Sequence, residues 1–134
     1  MDEAKLRDIP IFAKLSRKQR KLLALRADEV DVQSGTLVCR KGESANELYV
    51  IEQGTAKVVR DDQYLDELGP GDFFGEMGVV DDAPRNAHVV ALTPMTLMIL
   101  SGTALRELQR EEPKLARQIS STIEQRRHWL EPVS

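Results

Sequence analysis

The chain has 134 residues, of which 41% are apolar and 31% charged, and a formal net charge of −3. That length suits one domain with a modest core rather than two, and the acidic balance argues against a generic nucleic-acid binder. One cysteine, Cys39, allows no internal disulfide, and two isolated histidines, His88 and His128, argue against a His/Cys metal centre. No apolar run approaches the roughly 20 residues that span a membrane. The charged start "MDEAKLRDIP" is no signal peptide. A cytoplasmic setting is therefore expected, with no membrane contact.

Residues 1–26 read as helical and basic. Ser16 followed by Gln19 is a capping-box pattern, and Leu22, Leu23 and Leu25 follow at helical spacing. "KLSRKQRKLLALR" holds six positive charges and no acid. Without interleaved aromatics it reads as a solvated helix face rather than a membrane or nucleic-acid patch.

Residues 27–101 read as short strands cut by turns. The strands are expected in "EVDV", "TLVCR", "ELYVIE", "AKVVR", "YLDEL", "AHVVAL" and "TLMIL", and "DDQ" should be a polar hairpin tip. Strands this short and this closely punctuated predict a β-sandwich or small barrel. No useful helix lies between them to build a parallel sheet.

Residues 102–134 read as helical again. "TALRELQREE" is amphipathic and stops at Pro113, which starts a second helix. Leu115, Ile119, Ile123 and Leu130 share one stripe at about 100° per residue. Thr122 and Arg126 fall inside that stripe and Trp129 at its edge, so the helix is expected to face something polar.

The stretch from 71 to 91 carries the chemistry. In "GPGDFFGEMG", Gly71 suits a left-handed turn, and Gly75 and Gly78 let backbone approach a ligand. Free N–H groups at the start of a short helix attract an anion. Glu76 is awkward beside an anion alone, but a carboxylate accepts well from a ribose hydroxyl. Arg85, between Pro84 and Asn86, offers a fork that matches phosphate oxygens. Two readings of these residues stand side by side: a ribose-phosphate site, or a structural turn with a surface arginine.

"FGEMGVVDDAPRNAHVVA" resembles the phosphate-binding cassette of cyclic nucleotide-binding domains, the sensors of catabolite activators, cyclic-nucleotide-gated channels and regulatory subunits of cyclic-AMP-dependent kinase. "KGESANELYVIEQGTAKV", "LGPGDFFGE" and "IPIFAKLSRKQRKLLA" are similar to other parts of that family, so the likeness covers nearly the whole chain. The resemblance implies a mainly β fold with flanking helices. This would be a double-stranded β-helix, or jelly roll, with an N-terminal helical segment (1–26), a β-roll (27–101) holding the cassette (71–91), and two C-terminal hinge or lid helices (102–130).

The resemblance also implies roles. Glu76 would accept from the ribose 2′-hydroxyl. Phe74, at the cassette entry, joins Gly75, Met77 and Gly78, whose backbone would serve the ribose and phosphate. Arg85 would pair with the exocyclic phosphate oxygens, and Ala87 would donate its N–H to the phosphate. Arg126 would touch the ligand or Glu76, and Trp129 would lie near the base. Three positions depart from the family pattern: Asn86 where Ser, Thr or Ala is usual, His88 where Thr or an aromatic is commoner, and Glu43 for Asp after Gly42. The absence of Thr at 86 leans the ligand toward cyclic AMP rather than cyclic GMP, with no metal. The implied function is a non-enzymatic sensor whose C-terminal helices shift on binding. The alternative is a degenerate module acting through protein contacts. The chain stops at Ser134, before a DNA-reading helix-turn-helix could fit. The expected partner is therefore an effector protein or domain, and a homodimer is compatible with this.

Overall fold

The computed structural model describes residues 1–39, 47–74 and 87–126. It opens with helix α1 (Glu3–Arg7), whose N-cap Asp2 accepts from the Ala4 N–H. A 3-10 turn (Pro10–Phe12) follows. Helix α2 (Arg17–Arg26) begins in the expected capping box. The Gln19 N–H donates to Ser16 Oγ at 3.1 Å, and the Ser16 N–H donates to Gln19 Oε1 at 2.9 Å. Each bond satisfies a donor that the helix cannot. Of the six cations, Arg20 pairs with Glu3 at 2.7 Å and Arg26 with Glu107 and Glu111. Lys14, Arg17, Lys18 and Lys21 are exposed, as a solvated face requires.

Eight strands follow among the described residues: β1 (Asp28–Val32), β2 (Leu37–Cys39), β3 (Glu47–Gln53), β4 (Ala56–Arg60), β5 (Gln63–Leu68), β6 (Phe73–Phe74), β7 (His88–Ala91) and β8 (Met95–Ser101). They form two four-stranded sheets, ordered β1-β8-β3-β6 and β2-β7-β4-β5. All pairs are antiparallel. This is the expected jelly-roll sandwich with flanking helices. The polar tip is a two-residue turn with Asp61 at φ 52° and Asp62 at φ 64°. Positive φ at both residues matches the twist of a tight hairpin, and aspartate tolerates it better than most residues. The alternation in "EVDV" does not mark a buried face, because β1 is an edge strand exposed from Asp28 to Asp31.

The β3 run Leu48–Ile51 is buried throughout, and the two faces of its sheet explain why. Tyr49 and Ile51 point into the sandwich with Val58, Phe74, Val89 and Leu97. Leu48 and Val50 point the other way, into a helical layer with Leu6, Phe12, Leu23 and Leu108. A strand covered on both faces reads as a continuous apolar run.

Helix α3 (Gly102–Glu111) starts at the N-cap Ser101, and α4 (Pro113–Arg126) follows the break at Pro113. Leu115 and Ile119 pack on the outer face of the β-roll, within the layer that also holds the N-terminal helices, whereas the Ile123 side chain and Leu130 lie outside the described residues. Gln19 Nε2 donates to Gln118 Oε1 at 3.1 Å and Arg26 joins α2 to α3, so the first and last helices form one layer.

Candidate functional site

The cassette is framed by two described residues. Phe74 closes β6 at the edge of one sheet, and Ala87 immediately precedes β7 inside the other. Both side chains are buried in the same sandwich core. The connection 75–86 therefore leaves one sheet and returns to the other. The connection 40–46 opens at the same end, because Cys39 pairs with Val89 and the start of β3 pairs with β6 through Tyr49 and Phe74.

Several contacts organise that end. Tyr49 lies directly opposite Phe74, and their rings stack with centroids 4.9 Å apart and planes 9° from parallel. The Tyr49 hydroxyl donates to Glu47 Oε1 at 2.8 Å. Upstream, Gly71 has φ 91°, as expected of a left-handed turn residue, and a Cβ there would lie 3.0 Å from Pro10 Cδ. Its N–H donates to the Ile51 carbonyl, and the Ile51 N–H to the Asp72 carbonyl, each at 2.8 Å. The approach to the cassette is thus held by backbone bonds to β3 and by the helical segment beneath.

The candidate residues divide accordingly. The Phe74 side chain is fully buried, so only its backbone can serve a ligand. Ala87 is buried next to β7, and its neighbour His88 lies on the opposite, outer face of the sheet. Arg126 ends the described part of α4, with its side chain outside the described residues. Gly75, Glu76, Met77, Gly78, Arg85, Asn86 and Trp129 also lie outside the described residues. Glu43 does too.

A second polar feature was not foreseen. At the far end of β3 lies a cleft of about 530 Å³, lined by α1, the 3-10 turn, β1, β3 and β8 and including Lys5, Asp8, Glu29, Asp31 and Glu52. Four carboxyls against one lysine make it a poor seat for a phosphate. Lys5 Nζ holds both Glu29 oxygens, at 2.9 and 3.0 Å. Glu52 Oε2 is buried and receives no donor from the described residues. A proton on Glu52, bonded to Glu29, would satisfy it. Burial, the bond to Glu29 and the charge of Glu29 push Glu52 up to about 7. The same bond and the Lys5 ammonium hold Glu29 below its usual range. The signal in the sequence was Glu29 and Asp31 on one strand and Glu52 on another, and nothing local brings the two strands together.

This cluster predicts a pH dependence of stability. The unfolded chain releases the Glu52 proton near 4.5, whereas the folded chain keeps it to about 7. Between these values the native state binds more protons, so stability falls as pH rises from about 4.5 to about 7. Glu52→Gln should remove that fall and stabilise the protein at pH 8 by about 1–2 kcal/mol, after allowance for solvent at the cleft mouth. Melting curves of both proteins at pH 5 and pH 8 check it. An equal difference at the two pH values would rule out the shared proton.

Comparison with known proteins adds the family. The model of the cyclic nucleotide-binding domain matches residues 29–112. A cyclic nucleotide-gated potassium channel of Rhizobium etli is 33% identical over 119 residues, which are 89% of this chain and 33% of that protein. A cAMP-dependent protein kinase regulatory subunit of Schizosaccharomyces pombe is 34% identical over 121 residues, covering 84% of this chain and 29% of that one. The chain thus spans about a third of the length of these curated relatives. The fold matches the crystal structure of a cyclic nucleotide-binding domain from Methylobacillus flagellatus with a TM-score of 0.84 at 24% identity, over 92% of this chain and 74% of that one. Among the described residues no helix is long and apolar enough to cross a membrane, and no group of side chains is arranged to hold a metal ion. The motif, the sandwich that frames it and the family match agree, and the chain belongs to the cyclic nucleotide-binding domain family.

Proposed function

We propose that this chain is a cyclic nucleotide sensor whose ligand is cyclic AMP, and that it carries out no chemistry of its own. One observation carries the reading. The family match over residues 29–112 includes Gly75, Glu76 and Gly78 together with Arg85, Asn86 and Ala87, the residue types that a ribose and a cyclic phosphate require. In this reading Glu76 accepts from the 2′-hydroxyl. The backbones of Phe74, Gly75, Met77 and Gly78 line the ribose and phosphate. Arg85 neutralises the phosphate, and the Ala87 N–H completes its shell. Asn86 contributes a donor and an acceptor at the phosphate or the base. Arg126 and Trp129 come from the C-terminal helix. The names of relatives support cyclic AMP, since one curated relative is a cAMP-dependent kinase regulatory subunit.

The output is a shift in the C-terminal helices. Phe73, one residue before Phe74, has its ring in the helical layer with α3 and α4. A ligand that favours one position of the cassette over another then biases the helices through that ring. The receiver is a partner domain or protein, or a second copy of the chain, in a cytoplasmic setting.

Calorimetric titration with cyclic AMP and with cyclic GMP tests the reading. Saturable heat with a preference for cyclic AMP is expected, and no binding of either nucleotide would end it. The ribose role has its own test. A hydrogen bond to a charged group contributes about 1.5–3 kcal/mol, so 2′-deoxy cyclic AMP should bind roughly 10- to 150-fold more weakly. Glu76→Gln should shrink that gap, because a neutral amide is a weaker acceptor. Equal binding of the two nucleotides by the wild type would leave Glu76 without a ribose to read.

A further inference from the structure

The structure assigns Tyr49 a role beyond packing. We infer that it is a positioning residue for the nucleotide, acting through Phe74 on the chain that enters the cassette. The inference rests on the sensor reading above. β6 has only two residues, so few ladder bonds fix the direction in which the chain leaves it. What holds Phe74 is the ring of Tyr49, directly opposite in register and nearly parallel at 4.9 Å. Phe74 is fully buried and Tyr49 is 8% exposed, so the pair cannot re-aim without opening the core. The hydroxyl of Tyr49 is held in turn by Glu47 at 2.8 Å, on the first residue of β3 after the connection 40–46. The Tyr49 ring thus packs on the strand before the cassette while its hydroxyl is held by the first residue of its own strand. A flat ring held at both ends sets an angle, which an aliphatic side chain of similar volume cannot do. Gly75 and Glu76, assigned to the ribose in the reading above, follow Phe74 directly in the sequence, so Phe74 is the last described point from which they can be aimed.

The test measures affinity for cyclic AMP and for 2′-deoxy cyclic AMP in four proteins, each well below its own melting temperature. These are the wild type, Tyr49→Leu, Tyr49→Phe and Leu97→Ala. Leu97 is fully buried in the same sandwich core on β8, opposite Ile51 rather than Tyr49, so its truncation weakens the core and leaves both rings in place. Tyr49→Leu should weaken cyclic AMP binding about tenfold to a hundredfold, since small misplacements of a bound group are costly. It should also narrow the gap between the two nucleotides, because the ribose hydroxyl loses its alignment. Tyr49→Phe keeps the stack but loses the bond to Glu47, so its affinity should fall between those of the wild type and Tyr49→Leu. Leu97→Ala should melt earlier and bind normally. If Tyr49→Leu does not fold, Tyr49→Met fills more of the space and gives the same readout. Wild-type-like affinity and an unchanged gap in Tyr49→Leu would overturn the inference, as would equal losses in Tyr49→Leu and Leu97→Ala. Failure of the wild type to bind either nucleotide is a different result, and it removes the sensor reading itself.

Discussion

Arg85→Ala should weaken cyclic AMP binding about 30-fold to a few thousandfold while leaving the melting transition intact. The chain has a net charge of −3, so its overall field does not draw in a phosphate. A local cation must supply the attraction, and Arg85 is the only arginine or lysine between Arg60 and Arg106. Removing one partner of a buried charge pair costs roughly 2–5 kcal/mol, much of it the penalty of leaving the other charge unpaired. That range converts to the stated loss of affinity. Arg85→Lys should fall between, because a point charge replaces a two-pronged fork. Calorimetry with melting curves on the same samples decides the matter. Equal affinity in Arg85→Ala with an unchanged melt would take the phosphate role away from Arg85.

Gly54→Ala should show the opposite signature: a large loss of stability and little direct loss of affinity. Gly54 lies in the turn from β3 to β4 with φ 92°. A Cβ there would stand 2.4 Å from the Pro94 carbonyl oxygen and 2.8 Å from Met95 Cγ. The backbone region disfavours any side chain, and the closest obstacle is main chain that enters β8, so it cannot swing aside. Strain and collision together should cost about 3–5 kcal/mol, a large share of a typical total. The melting temperature should drop by roughly 10–20 °C. The turn sits at the end of β3 away from Tyr49, so the folded fraction in the cold should bind nucleotide normally. Gly69→Ala is the matched control, since a Cβ at Gly69 meets nothing within 4 Å. A Gly54→Ala protein that melts like wild type would show that the turn can relax without disturbing β8.

Some of this architecture needed only neighbours in sequence. Ser16 and Gln19 marked the start of α2 because a capping box closes within three residues. The Asp61–Asp62 turn and the break at Pro113 are likewise local, set by backbone dihedrals and a missing N–H. The Gly-Glu and Arg-x-Ala pairs carried the resemblance to the family, together with the segments that flank them, because residue types at a fixed spacing can be read without the fold. Phe74 was read as part of the ligand site, and the fold buries its ring wholly in the core. The strand Phe73–Phe74 was not set apart in advance, because two residues carry no periodicity.

Other features were decided only when distant segments met. "ELYVIE" reads as a strand, but that its alternate side chains enter two different layers follows from helices at both ends of the chain covering one sheet. The apolar stripe of α4 was legible, but its partner was not. Leu115 and Ile119 join the N-terminal helices, and Gln118 meets Gln19 across 99 residues of sequence. Glu29 and Glu52 look like ordinary surface acids until β1 and β3 bring them together on either side of β8, where burial favours a shared proton over two charges. Local rules choose each element from hydrogen bonds and dihedrals within a few residues. Which faces are buried, and which charges must share a proton, depend on desolvation by residues far along the chain, and only the folded structure sets that.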